Sequence, residues 1–328
     1  MEELLVLATE SGIVLCGRVT DTWSVSHRSL ESHPTTAVIA REGVILAGTT
    51  DGIFRSDDSG HTWEDASAGL SARHVRWLAF HPAVSDLEFA GTEPAAIFVS
   101  HDGGGAWSEC PEVARLRDKY GWFLPYSPEA GCVRSFAFHG NHVYAGVEVG
   151  GVLLSEDSGE SWRLAAGSSG EPNFDIPPEP WVHADIHSIV VHPSSPDLVY
   201  AATAEGLYRS ADGGNTWIVS HLDSYCRAVW VDPGDPEHIV LGPSPSVSQM
   251  NGRVEESRDG GATWNPAGEG LGLPWPGRMM ERFTQMGDDL FAVTSDGRLY
   301  VSSLNSLHWR RILPDAGRIR AIAPISPN

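Results

Sequence analysis

Hydrophobic residues in this chain come in short alternating runs, and the runs come in fours. Between Val133 and Gly167, VRSFAFH, HVYAGVE, GVLLSED and SWRLAAG follow one another with turn residues between them. Alternate positions of an extended segment share a face, so such runs predict half-buried β-strands. The N-terminus, MEELLVLATESG, enters an alternating strand at once. One octet joins the third run to the fourth. Its copies are SDDSGHTW (Ser56–Trp63), SHDGGGAW (Ser100–Trp107), SEDSGESW (Ser155–Trp162), SADGGNTW (Ser210–Trp217) and SRDGGATW (Ser257–Trp264). A worn copy, SSLNSLHW, ends at Trp309, and a stub, VTDTW, ends at Trp23. Recurrence every roughly 45–55 residues marks a stacked or circular repeat.

Four antiparallel strands per repeat make the blade of a β-propeller. Within the octet, the Asp can accept backbone N–H bonds in the turn. The Gly supplies a positive φ, and the Trp starts strand four and buries a large face between blades. These are structural duties, so the octets are expected to carry no chemistry. Inner strands are predicted after Thr36, Arg76, Arg134, His187, Arg227, Glu281 and Arg320. The N-terminal runs LLVLATE and GIVLCGR lack an inner strand of their own, and the C-terminal run AIAPIS can complete their blade. The expectation is an all-β, seven-bladed propeller forming one domain over residues 1–328. Pairing of the N- and C-terminal strands closes the ring and removes exposed sheet edges.

The pattern S-x-D-x-G-x-T-W resembles the Asp-box, or BNR, repeat. That repeat occurs in sialidases, sortilin-type receptors, xyloglucanase-type glycosidases and photosystem assembly factors of the YCF48 type. The resemblance covers nearly the whole chain and implies the propeller fold. It implies no single function, because enzymes and pure binders share the fold. The sialidase Arg-Ile-Pro signature is absent near the N-terminus, and seven blades are counted where sialidases typically have six.

Composition narrows the partners. The net charge of −21 makes nucleic acid and anionic membranes poor partners. There is no apolar run long enough to span a bilayer and no visible signal peptide, so a cytoplasmic protein is expected. Cys16, Cys110, Cys132 and Cys226 have no metal-type spacing and are expected as free thiols.

Antiparallel order places the octets on one face and the 4→1 connections and 2→3 turns on the other. Long insertions fall on that second face, at about 111–131, 168–185, 243–255 and 268–278. Connections of this length in a compact repeat are commonly functional. They carry Tyr120, Trp122, Phe123, Tyr126, Phe174, Trp181 and Trp275. Such aromatics can stack on sugar rings, or they can pack the insertions onto the blades.

At the mouth of each inner strand stands one equivalent residue: Arg320, Thr36, Arg76, Arg134, His187, Arg227 and Glu281. Four arginines at one mouth require compensation. A bound carboxylate, sulfate or phosphate would suit guanidinium forks. Alternatively, Glu281, Glu93 and Glu148 pair with the arginines and plug the channel.

The segment WVHADIHSIVVHP places His183, Asp185 and His187 at i, i+2 and i+4. If extended, these three share a face and can hold one divalent metal (Mn, Fe, Zn or Ca), with Glu148 as a further ligand or base. The alternative is an Asp185 turn cap between hydrogen-bonded histidines. Without metal, His187 can act as base, Tyr126 or Tyr120 as acid, and Glu148 with Asp185 or Glu93 as a glycosidase pair. Two functions follow. One is a lyase or hydrolase acting on an anionic small molecule, such as a sugar derivative. In it Arg76, Arg134, Arg227 and Arg320 hold the anion and Tyr120, Trp122 and Trp181 line the pocket. The other is a non-catalytic scaffold whose arginine mouth binds a protein partner's acidic segment.

Overall fold

The computed structural model of the chain describes residues 3–248 and 250–325. Seven four-stranded antiparallel sheets form a seven-bladed β-propeller. The first blade takes its strands from both ends of the chain. Ile319–Ile325 pairs with Leu4–Thr9, followed by Gly12–Val19 and Thr22–Ser29. The inner strands of the next six blades are Thr35–Arg41, His74–Phe80, Cys132–His139, Ile186–His192, Tyr225–Asp232 and Met280–Met286. The expected seven blades and the pairing of the terminal strands are therefore present.

The chain divides into two compact units. One comprises Met1–Thr92, Phe98–Glu109 and Arg282–Asn328; the other comprises Glu93–Ile97 and Cys110–Glu281. In the first unit, Leu5, Leu7, Val14, Phe291, Val301 and Ile322 belong to one buried cluster. In the second, Tyr144, Val152, Ile186, Val199, Tyr208 and Trp217 form another. One helix, Pro111–Tyr120, stands in the first long insertion. Pro at its start costs no hydrogen bond, and Gly121 ends it at φ 64°. Among the described residues no helix is long and apolar enough to cross a membrane.

The octets close by one hydrogen-bond scheme. In SADGGNTW, Ser210 Oγ donates to Asp212 Oδ1 at 2.8 Å and accepts the Gly214 N–H at 2.8 Å. The Thr216 N–H reaches Asp212 Oδ1 at 2.8 Å and its hydroxyl reaches Oδ2 at 2.6 Å. SDDSGHTW and SRDGGATW repeat the scheme. The tryptophans then reach the preceding blade. Trp63 Nε1 donates to Ser29 Oγ, Trp107 Nε1 to Ala66 O, and Trp264 Nε1 to Ser220 O. Trp217 lies against Gly167, where a Cβ would stand 2.4 Å from its ring. That approach leaves room for glycine alone.

Two outcomes follow. Trp217→Ala removes a fully buried indole and should destabilise by about 3–5 kcal/mol in urea unfolding. The octet carboxylates contribute to the acid sensitivity, alongside Asp65, Asp232 and Glu255, which are also lowered. The Thr263 hydroxyl and N–H hold Asp259 down at about 2, and Asp58, Asp102, Asp157 and Asp212 are also lowered. A lowered folded-state value stabilises above the unfolded value of about 3.9 and is lost as pH falls through the folded one. Unfolding followed by circular dichroism should therefore steepen below about pH 4, and Asp259→Asn should flatten that slope.

Candidate functional site

The site belongs to the second unit and begins with irregular strand pairing. The register of the inner strand shifts between Val133 and Ser135, between Ile186 and Ser188, and between Cys226 and Val229. Arg134, His187 and Arg227 occupy these bulges. Bulged residues leave the ladder and are re-aimed. Thr36 has the same placement in the first unit, at the shift between Thr35 and Ala37. Residues equivalent by sequence alignment are thus equivalent in backbone geometry, a feature that hydrophobic alternation does not encode.

Arg134 and Arg227 are paired with carboxylates. Arg134 Nη1 lies 3.0 Å from Glu148 Oε2, and its Nη2 lies 3.6 Å from Glu281 Oε2. Arg227 Nη1 donates to Glu281 Oε1 at 2.5 Å. Burial alone would lower the Arg134 guanidinium, yet Glu148 and Glu281 hold it well above its ordinary value. The same opposition raises Arg227 through Glu281. Glu93 accepts the Ser127 hydroxyl at 2.7 Å. Arg76 and Arg320 belong to the other unit, on His74–Phe80 and Ile319–Ile325, and Arg320 Nη2 lies 3.3 Å from Glu10 Oε1.

Beside the arginines, His187 Nδ1 lies 2.7 Å from the Cys226 carbonyl, which assigns the ring proton to Nδ1. His187 Nε2 then accepts from the Tyr225 hydroxyl at 3.2 Å and lies 3.4 Å from Asp185 Oδ1. That carboxylate oxygen is buried and has no hydrogen-bond partner. Burial raises the Tyr225 phenol, against the lowering effect of Arg227. Glu148, Asp185 and His187 each bring one potential ligand atom within 4.8 Å of the others. His183, expected on the same face, is elsewhere. The strand begins only at Ile186, so residues 183–185 do not alternate. His183 Nδ1 accepts the Asp185 N–H at 3.1 Å, and its Nε2 faces the Phe174 carbonyl at 3.3 Å. Burial lowers its pKa, consistent with a neutral ring whose two nitrogens are both engaged.

A cavity of about 480 Å³ opens over this group. Tyr126, Phe174, Glu148, Asp185, Tyr225 and Arg227 line it, and Glu205, Asp223 and Ser224 complete its polar wall. Four of these side chains are carboxylates and one is a guanidinium. Tyr126 and Phe174 are 58% and 43% exposed. Phe174 meets Phe123 edge to face at 5.9 Å. Trp181 is exposed but does not line the cavity. Trp122, expected as a ligand-stacking residue, is buried and donates to the Gly170 carbonyl at 2.7 Å, tying two insertions together. Tyr120 lies beside Gly170, with its hydroxyl 3.0 Å from Lys119 Nζ. The insertion at 243–255 contributes Pro245, Ser246 and Val247 to the cavity; its residue 249 lies outside the described residues. Tyr225, Glu205 and Asp223 escaped sequence reasoning because no motif marks them.

Fold and site together define a seven-bladed propeller with an acidic, aromatic-edged cavity in one unit. No protein-family model matches the chain. It is 25% identical over 270 residues to an oligoxyloglucan-reducing end-specific xyloglucanase of Emericella nidulans, covering 68% of this chain and 32% of that one. The chain thus spans about a third of that relative's length. A crystal structure of a GH74 xyloglucanase from Xanthomonas campestris superposes with a TM-score of 0.61 at 18% identity, over 86% of this chain and 45% of that one. YCF48 bound to D1 peptide superposes with a TM-score of 0.59 at 13% identity, over 96% and 89% of the two chains. The two structural likenesses extend to the fold.

Breaking the buried pairs should be costly. Arg134→Met leaves Glu148 without its guanidinium partner, and a loss of about 3–5 kcal/mol is expected in urea unfolding. The double variant Arg134→Met/Glu148→Gln should recover part of it.

Proposed function

We propose that the cavity is the active centre of a glycoside hydrolase-type enzyme acting on a sugar-derived substrate. The observation that carries this reading is the pair Glu148 and Asp185, with one oxygen of each within 4.8 Å of the other at a cavity edged by exposed aromatic rings. Likeness in sequence to a xyloglucanase supports the substrate class. Close carboxyls, about 5–5.5 Å apart, suit a retaining mechanism. Glu148 accepts bonds from Arg134 and Cys132, which suits a carboxylate nucleophile. Asp185, with its unpartnered Oδ1, is the group to protonate the leaving oxygen. Glu148 attacks the anomeric carbon as Asp185 delivers its proton to the departing alcohol. Water, deprotonated by Asp185, then cleaves the glycosyl ester. Tyr126 and Phe174 stack the sugar. Because Arg134 and Arg227 are already paired and the cavity wall is mainly carboxylate, the reading favours a neutral sugar over the anionic substrate that the arginines alone imply.

One observation favours a second reading, a divalent cation at Glu148, Asp185 and His187. The bond from Nδ1 to the Cys226 carbonyl leaves His187 Nε2 an acceptor beside carboxylate oxygens, and a cation would take the place of the Tyr225 hydroxyl proton that it now accepts. Bound there, a cation would polarise a substrate oxygen. Reducing-end release from a panel of neutral and acidic oligosaccharides, with and without EDTA, tests both. The first reading expects EDTA-insensitive turnover of neutral substrates, falling about 10²–10⁴-fold in Asp185→Asn and Glu148→Gln. EDTA-sensitive turnover with one equivalent of metal supports the second. No turnover of any substrate overturns both and leaves the scaffold reading.

A further inference from the structure

Another wall of the same cavity is organised around a hydroxyl. Ser224 lines it, in the three-residue link between the strands Ile218–His221 and Tyr225–Asp232. Ser224 Oγ lies 2.8 Å from His221 Nδ1, and His221 Nε2 lies 2.7 Å from Glu255 Oε2. Arg253 Nε donates to the other oxygen, Glu255 Oε1, at 2.6 Å. The carboxylate assigns the ring proton to Nε2, so Nδ1 is the acceptor and the Ser224 hydroxyl is the donor. Cys226 Sγ stands 3.3 Å from Ser224 Oγ. Burial pushes that thiol up to about 12, so it stays S–H and can donate to Oγ. Burial would raise Glu255, but its bonds from His221 and Arg253 hold it below its ordinary value.

Every proton in this chain of contacts therefore has a direction, from the serine hydroxyl toward an imidazole nitrogen whose far side is anchored on a carboxylate. Nucleophile, base and orienting acid are recognised by such roles, whatever their order in sequence. Asp223, immediately before Ser224, has φ 55°, a left-handed conformation that is uncommon for a residue other than glycine. Ser224, at the end of this tight link, is among the residues lining the cavity and is itself almost fully buried. A serine–histidine bond three residues apart can simply tie a turn. Here Glu255, from the third strand of the next blade, adds an anchor that a turn does not require.

We propose that Ser224, His221 and Glu255 form a hydrolytic centre for carboxylic esters. Ser224 Oγ bonds to the ester carbonyl carbon as its proton passes to His221 Nδ1. The bond from that carbon to the alkoxy oxygen breaks, and the alcohol leaves with the proton. Water, deprotonated by His221, attacks the acyl-serine; the acid departs and Ser224 regains its proton. Glu255 is a positioning residue. The chemistry needs only ester and water, and it stands independently of glycoside cleavage.

The test uses the full chain, a fluorophosphonate probe and p-nitrophenyl acetate. One equivalent of probe should map to Ser224 by peptide mass spectrometry. Ester turnover should fall to the uncatalysed background in Ser224→Ala and about 10²–10⁴-fold in His221→Gln. Glu255→Gln should lower kcat with KM little changed, whereas a purely structural tie would leave kcat in proportion to folded protein. Labelling of the unaltered chain does not depend on any variant folding. Absence of label on Ser224, or equal turnover in the unaltered chain and Ser224→Ala, overturns the proposal. Glycoside release without ester turnover, or the reverse, separates its failure from that of the glycosidic reading.

Discussion

The turn in which one aspartate collects the backbone N–H groups that follow it is the interaction on which the rest depends. In SADGGNTW, Asp212 takes the N–H and hydroxyl of Thr216, while Ser210 holds both Asp212 and Gly214. With those groups satisfied inside the turn, the indole that follows is free to face the neighbouring blade. A carboxylate placed there satisfies donors that would otherwise need water. The tryptophans that follow supply the apolar burial between blades. Backbone satisfaction and blade packing are thus linked within eight residues, which explains how the motif can recur while the residues around it vary.

Much of this architecture was legible in the sequence, because strands alternate and turns have chemical signatures. The pairing of Ile319–Ile325 with Leu4–Thr9 followed from counting inner strands. Site geometry was less legible. The i, i+2, i+4 spacing puts His183 on a face with Asp185 and His187 only in a strand, and the chain is not yet a strand at that point. The His183 ring is committed instead to the Phe174 carbonyl and the Asp185 N–H. Trp122 reads as a ligand platform in the sequence and is a buried tie to Gly170. The contact between His221 and Glu255 joins residues 34 apart on different blades, and no local pattern announces it.

The electrostatics of the site follow from confinement. Arg134 and Arg227 are held among Glu148 and Glu281, so positive charge that looks available in the sequence is already committed. The cavity wall that remains is acidic, and its aromatic edge is exposed. A chain of net charge −21 thus carries an arginine pair whose first task is to hold carboxylates in place.

The repeated bulge has a consequence for how such a protein can change. At Thr36, Arg134, His187 and Arg227 the inner strand gives up regular pairing with its neighbour. Side chains there take up other partners: Thr36 donates to the Gly48 and Val75 carbonyls, Arg134 pairs with Glu148, and His187 bonds to the Cys226 carbonyl. Hydroxyl, guanidinium and imidazole already occupy the position in different blades. The scaffold therefore sets its polar chemistry at positions apart from the strand register, where an exchange is felt through the partners of one side chain.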